Sequence, residues 1–201
     1  MKKFFTNIPH QIRGQLQTYR YDAVDNPMLQ MEEETSFPIL TAINGYAQAG
    51  EEIRIIAVTT DLQSDTRNSD AFRAAAEDLC RRKGVLLPKG VELIFAQNDE
   101  RVQSQTDTFL QLIDKVEEND DLYSCLTFGT KPQAMALQMA VQYAYRVKNN
   151  TSIGCILYGK INRDDNGQSY GQVYDMTLLT RLLADKHLPN PGEIIRQALC
   201  D

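Results

Sequence analysis

No tryptophan occurs in the 201 residues, and histidine occurs only twice, at His10 and His187. Two isolated imidazoles exclude a His-rich metal centre. The four cysteines, Cys80, Cys125, Cys155 and Cys200, include no CxxC pair. Their spacing fits neither a zinc site nor a small disulfide framework, so a reduced, cytoplasmic protein is expected. No apolar run approaches the roughly 18 residues that a membrane span needs. The opening Met1-Lys2-Lys3-Phe4-Phe5-Thr6-Asn7 turns polar too soon for a signal peptide. Basic residues are also scarce: 21 Lys and Arg stand against 27 Asp and Glu, a net charge of −6. A protein that coats duplex nucleic acid is thereby disfavoured, because such affinity comes from neutralising phosphates. A small anion is still compatible, since a local nest of backbone amides can hold it inside an acidic chain. The sequence has no GxGxxG after its first apolar segment and no GxxxxGK[ST], which removes the common dinucleotide and triphosphatase readings. Neither cofactor nor metal is expected.

What is present is a strand–helix alternation. Strands are predicted at 2–7, 53–60, 91–97, 122–128 and 153–161. Helices are predicted at 38–49, 69–83, 104–118 and 132–148, from apolar residues at i, i+3, i+4 spacing. Pro38 suits a first helical turn, while Gly50 and Gly84 suit helix stops. Ser104 with Asp107 suggests a capping box, and residues 22–34 form a poorly patterned loop. The 132–148 helix is apolar nearly all round, with a thin polar stripe of Gln138, Gln142 and Arg146, and is expected to be covered on most sides, either within its own fold or as a dimer-facing element through Met135 and Met139. Asp164-Asp165-Asn166-Gly167 signals a turn, after which 170–176 returns as an antiparallel edge strand. Two short helices, 178–187 and 193–199, would close the chain. The fold class is therefore α/β: a Rossmann-like three-layer sandwich, mainly parallel, with an antiparallel edge hairpin. Residues 1–177 form the domain. Residues 178–201 form a helical appendage or the start of a linker to an effector outside this chain.

Open α/β sheets bind ligands at the carboxyl ends of their strands. Two such ends carry suitable chemistry. The first is Phe5-Thr6-Asn7-Ile8-Pro9. The second is Leu126-Thr127-Phe128-Gly129-Thr130-Lys131-Pro132-Gln133. Gly129 permits close backbone approach, Thr130 offers a hydroxyl, and Pro132 presets the first turn of the helix. Lys131 places a cation where the helix dipole already favours an anion. The turn reads as a phosphate site; the competing reading is a well-capped βα turn with a solvated lysine. Arg13, Arg20 and His10 lie near in sequence and read as solvated loop residues. Tyr21, Phe37 and Tyr170 are aromatic groups that could stack on bases.

The segment 121–132, containing Leu126-Thr127-Phe128-Gly129-Thr130-Lys131-Pro132, resembles the hydrophobic-Thr-x-Gly-Thr-Lys-Pro signature of CARF domains, the CRISPR-associated Rossmann-fold sensors. Segments 21–26, 35–39 and 50–58 resemble the N-terminal half of the same family, so the likeness covers most of residues 1–160. It implies a homodimer that binds a cyclic oligoadenylate, a second messenger of four or six adenylates made in type III CRISPR antiviral defence, across its two-fold axis. The ligand-contacting set it implies is Thr6, Asn7 and Ile8 with Thr127, Phe128, Gly129, Thr130, Lys131 and Pro132, joined by Phe37.

Three functions follow as expectations. The first is a nucleotide-binding sensor, matched in symmetry to a ring with an even number of phosphates. The second is a metal-independent ring nuclease, in which the ribose 2′-hydroxyl attacks its adjacent phosphorus. There Thr6, Asn7 and Lys131 would hold the backbone in line, and Lys131 would stabilise the developing charge. The third is a generic nucleotide-binding Rossmann protein. No His/Cys deaminase core is present to supply an effector activity.

Overall fold

Phe4 and Phe5 lie side by side in the first strand and enter two different cores, as expected where successive side chains point to opposite faces of a sheet. The computed structural model describes residues 1–10, 16–60 and 66–184. Seven strands, β1 (Lys2–Asn7), β2 (Tyr21–Ala23), β3 (Ile53–Thr59), β4 (Val91–Phe95), β5 (Asp121–Cys125), β6 (Ser152–Arg163) and β7 (Ser169–Asp175), form one sheet in the order β2-β7-β6-β5-β1-β3-β4. The β4-β3-β1-β5-β6 portion is parallel, β7 runs antiparallel to β6, and β2 runs parallel to β7.

Helices α1 (Ile39–Tyr46) and α2 (Arg67–Lys83) cover one face with Ile39, Ile43, Phe72 and Leu79, over Phe4, Ile53 and Ile55. Helices α3 (Val102–Ile113) and α4 (Lys131–Val147) cover the other with Leu112, Leu137 and Val141, over Phe5, Ile56 and Ile153. A final helix, α5 (Thr177–Ala184), packs on α4 and β6. The result is the expected Rossmann-like α/β sandwich, with a mostly parallel sheet and an antiparallel hairpin toward one edge.

Several boundaries move for local reasons. The first helix stops at Tyr46 because Ala47 is extended; Gly50 adopts φ +80° in the turn that follows. Gly84 does cap α2 in the left-handed conformation, accepting no Cβ strain at φ +67°. The third helix starts at Val102, not 104, with extended Arg101 before it. Asp99 takes the Arg101 N–H at 3.0 Å, while Asp107 accepts from Gln103, so the Ser104–Asp107 capping box does not form. The 22–34 stretch is ordered rather than irregular. It supplies β2 and a 3-10 turn at Pro27–Leu29, and Asn26 bonds Tyr46 at 2.8 Å and Asp175 at 2.6 Å. β2 lies outside the hairpin, so β7 is the second strand from that edge. The expected 193–199 helix, like His187, lies outside the described residues.

α4 corrects another expectation. Its polar stripe is partly covered, because α5 docks there and Gln138 donates to Thr180 Oγ1 at 2.8 Å. The apolar stripe is what faces outward, with Met135 and Met139 61% and 51% exposed.

Candidate functional site at the β1 and β5 strand ends

β1 is flanked by β3 on one side and by β5, reached only after β4, on the other, so the sheet's switch point lies between the carboxyl ends of β1 and β5. Such crevices are where open α/β sheets hold ligands. Both sequence-predicted segments meet here.

Gly129 has φ +88°, a left-handed conformation that glycine adopts without strain. The turn lies directly over Asn7. A methyl group at position 129 would sit 3.0 Å from Asn7 Cγ, 3.1 Å from its Nδ2 and 3.1 Å from Gln133 Oε1. Asn7 is 2% exposed, and neither Nδ2 nor Oδ1 has a hydrogen-bond partner among the described residues. A buried amide normally has partners, and an unmade bond there is costly.

Thr130 caps α4. Its N–H donates to Gln133 Oε1 at 3.0 Å, and its Oγ1 accepts from the Gln133 N–H at 3.4 Å. This reciprocal box is legible as Thr130-x-x-Gln133 in the sequence, although the expected site did not include Gln133. Pro132 has no N–H to offer, and the Lys131 N–H, at the first position of α4, has no acceptor among the described residues. The Lys131 side chain is exposed and makes no ion pair among them either. A helix N-terminus with a spare donor, a cation and an unsatisfied amide beneath suits an anion.

Thr6 points to the opposite face of the sheet from Asn7. It is buried, its Oγ1 donates to the Asn7 carbonyl at 3.1 Å, and it pairs across the strands with Cys125, whose Sγ lies 3.1 Å from Thr127 Oγ1. Thr127 Oγ1 in turn accepts the Gly159 N–H at 2.7 Å. Complete burial pushes the Cys125 thiol above its usual range despite these hydrogen bonds. This relay ties β1, β5 and β6 together under Pro38, which touches Gly159 so closely that a Cβ there would lie 2.5 Å from Pro38 Cγ. The structure thus divides the predicted set. Asn7, Gly129, Thr130, Lys131 and Pro132 gather on the α4 side, whereas Thr6 and Thr127 belong to the relay on the other.

The remaining predicted residues take other places. Ile8 is buried, and its N–H continues the β3 ladder to Val58 at 2.8 Å. Phe37 is buried edge-on against Phe72, 5.1 Å between centroids, and Phe128 packs partly buried against the same core. Tyr21 is buried, Arg20 pairs with Glu32 at 3.0 Å, and His10 lies 3.0 Å from Thr60 Oγ1. Tyr170 is exposed on the hairpin, and Arg13 lies outside the described residues.

Next to the turn, α3 and α4 bound an apolar groove of about 460 Å³, lined by Val102, Phe109, Pro132, Met135 and Met139. Among the described residues no group of three or more His, Cys, Asp or Glu side chains could hold a metal ion, and no helix is long and apolar enough to cross a membrane. Compared with protein-family models and with curated proteins, the sequence matches none.

Proposed function

We infer that this chain is a CARF-type sensor that binds a cyclic oligoadenylate, of four or six adenylates, across the axis of a homodimer in type III CRISPR signalling. One observation carries the reading: at the switch point, the buried carboxamide of Asn7 has no partner among the described residues and lies directly beneath the Gly129 turn. An anionic ligand there gains the Lys131 N–H, the Lys131 ammonium and an Asn7 donor together. The net charge of −6 does not oppose it, because the contacts are short-range and screened from distant carboxylates.

The dimer draws support from the exposed stripe Met135, Met139, Tyr143 and Val147, which begins one turn beyond Lys131. An apolar stripe of this kind suits a self-complementary surface, and a two-fold axis along it would bring two copies of the turn to one ring. The test is to mix the purified chain with labelled cyclic tetra-adenylate, and separately with the hexamer, in EDTA, and to follow mobility and products. A shifted, intact ring is the expected result. Linear products ending in cyclic phosphates would instead make the chain a ring nuclease, and no shift with either ring would overturn the reading.

A further inference from the structure

Both polar atoms of Asn7 are unpartnered among the described residues, and that detail bears on which ligand the turn accepts. A carboxamide presents two N–H donors at Nδ2 and an acceptor at Oδ1. A phosphodiester has oxygens only, so it satisfies Nδ2 and leaves Oδ1 without a donor. The group that meets Asn7 must therefore accept and donate while sitting beside an anion. A ribose 2′-hydroxyl does both and is held next to the 3′-phosphate by the sugar itself.

We propose that Asn7 is a specificity-determining residue that reads the 2′-hydroxyl of the bound nucleotide, so that the site accepts ribonucleotide phosphodiesters and rejects their 2′-deoxy counterparts. This rests on the reading of the turn as a nucleotide site. The cover over Asn7 is consistent with such a role, since it is the backbone of a glycine with the Gln133 carboxamide beside it. The turn must lift at Gly129 for the hydroxyl to enter, and what holds it is the Thr130–Gln133 box, one of whose two bonds is a long 3.4 Å. Sites built around buried hydrogen-bonding groups discriminate strongly against ligands that lack the matching group, because the protein's own groups are then left unpaired.

The experiment compares labelled cyclic tetra-adenylate with its all-2′-deoxy analogue by equilibrium binding to the wild-type chain and to Asn7→Ala. In the wild type, the ribo ring should bind roughly tenfold to a hundredfold more tightly. In Asn7→Ala the ratio should fall toward one, with the deoxy ring bound at least as well as by the wild type. Equal binding of both rings to the wild type, or an unchanged ratio in Asn7→Ala, overturns the proposal while leaving the nucleotide site standing. Failure of the wild type to bind either ring removes the nucleotide reading and this inference together. The wild-type comparison needs no variant, and a thermal melt of Asn7→Ala shows whether its fold is intact.

Discussion

Lys3 and Asp120 are paired at 2.7 Å, with side chains only 0% and 2% exposed. The Lys3 ammonium also donates to the Lys115 carbonyl at 2.7 Å, and it lies 3.2 Å from Glu117. β1 thus carries a satisfied buried cation at its amino end and an unsatisfied buried amide, Asn7, at its carboxyl end. Breaking a buried pair leaves an uncompensated charge, at a cost of about 3–5 kcal/mol. Lys3→Met is expected to lose that much in urea denaturation. Lys3→Met with Asp120→Asn should lose clearly less than the two single losses added, because no buried charge is then left alone.

A second network contributes pH dependence. Arg54 donates to both Glu92 oxygens at 2.7 and 2.9 Å, and Lys115 adds a contact at 3.0 Å. Burial alone would raise the Glu92 pKa, but the hydrogen bonds from Arg54 and Lys115 outweigh it and hold the carboxyl at about 2, against an ordinary 4.5. A depressed pKa favours the folded state only while the carboxylate is ionised. The contribution is therefore fully present above about pH 4.5 and is lost as pH falls toward about 2. Acid unfolding of Glu92→Gln should lack this portion of the pH slope seen in the wild type.

The alternation of apolar runs and 3.6-residue patterns made the layered sheet legible, because the central strands β1, β3 and β5 are buried on both faces and carry apolar runs such as Ile55-Ile56-Ala57-Val58. The Gly129 turn was legible for the same kind of reason: glycine, threonine and proline each have one preferred place at a helix start. Three-residue β2 was not. Its pairing with β7 is set by Tyr21 packing near Gly171 across the whole chain, which no local pattern records. The division of Thr6 from Asn7 follows from strand alternation, but only the structure shows that α4 covers the Asn7 face. The cover over the polar stripe of α4 was not legible, because α5, itself a short amphipathic segment, docks there from later in the chain.

At the turn, Gly129→Ala introduces both a strained φ and a close contact with Asn7 and Gln133. Gly167→Ala provides the comparison, since its φ is +80° but nothing lies within 4 Å of the added methyl. The φ term costs about 1–2 kcal/mol at either site. Chemical denaturation should show Gly129→Ala the more destabilised of the two.

Lys131→Ala removes an exposed cation without disturbing packing, so its melting temperature should match the wild type. Its affinity for cyclic tetra-adenylate should fall by about 1.5–3 kcal/mol, the usual worth of a charged hydrogen bond, as read by isothermal titration. Unchanged affinity would remove Lys131 from the site.

Met139→Asp places a charge in the middle of the exposed α4 stripe. Sedimentation velocity should show a shift from dimer to monomer, with circular dichroism unchanged because the side chain is half exposed in the single chain. Persistence of the dimer would place its interface on another face.

The edge formed by β2 and β7 joins early chain to late chain: the Asp175 N–H bonds Asp25 Oδ1 across 150 positions. During synthesis, Tyr21 therefore waits on the order of ten seconds for its partner strand to leave the ribosome. Until then β2 has no partner strand in the nascent polypeptide, and a message truncated before codon 169 would yield a product that never forms this pairing.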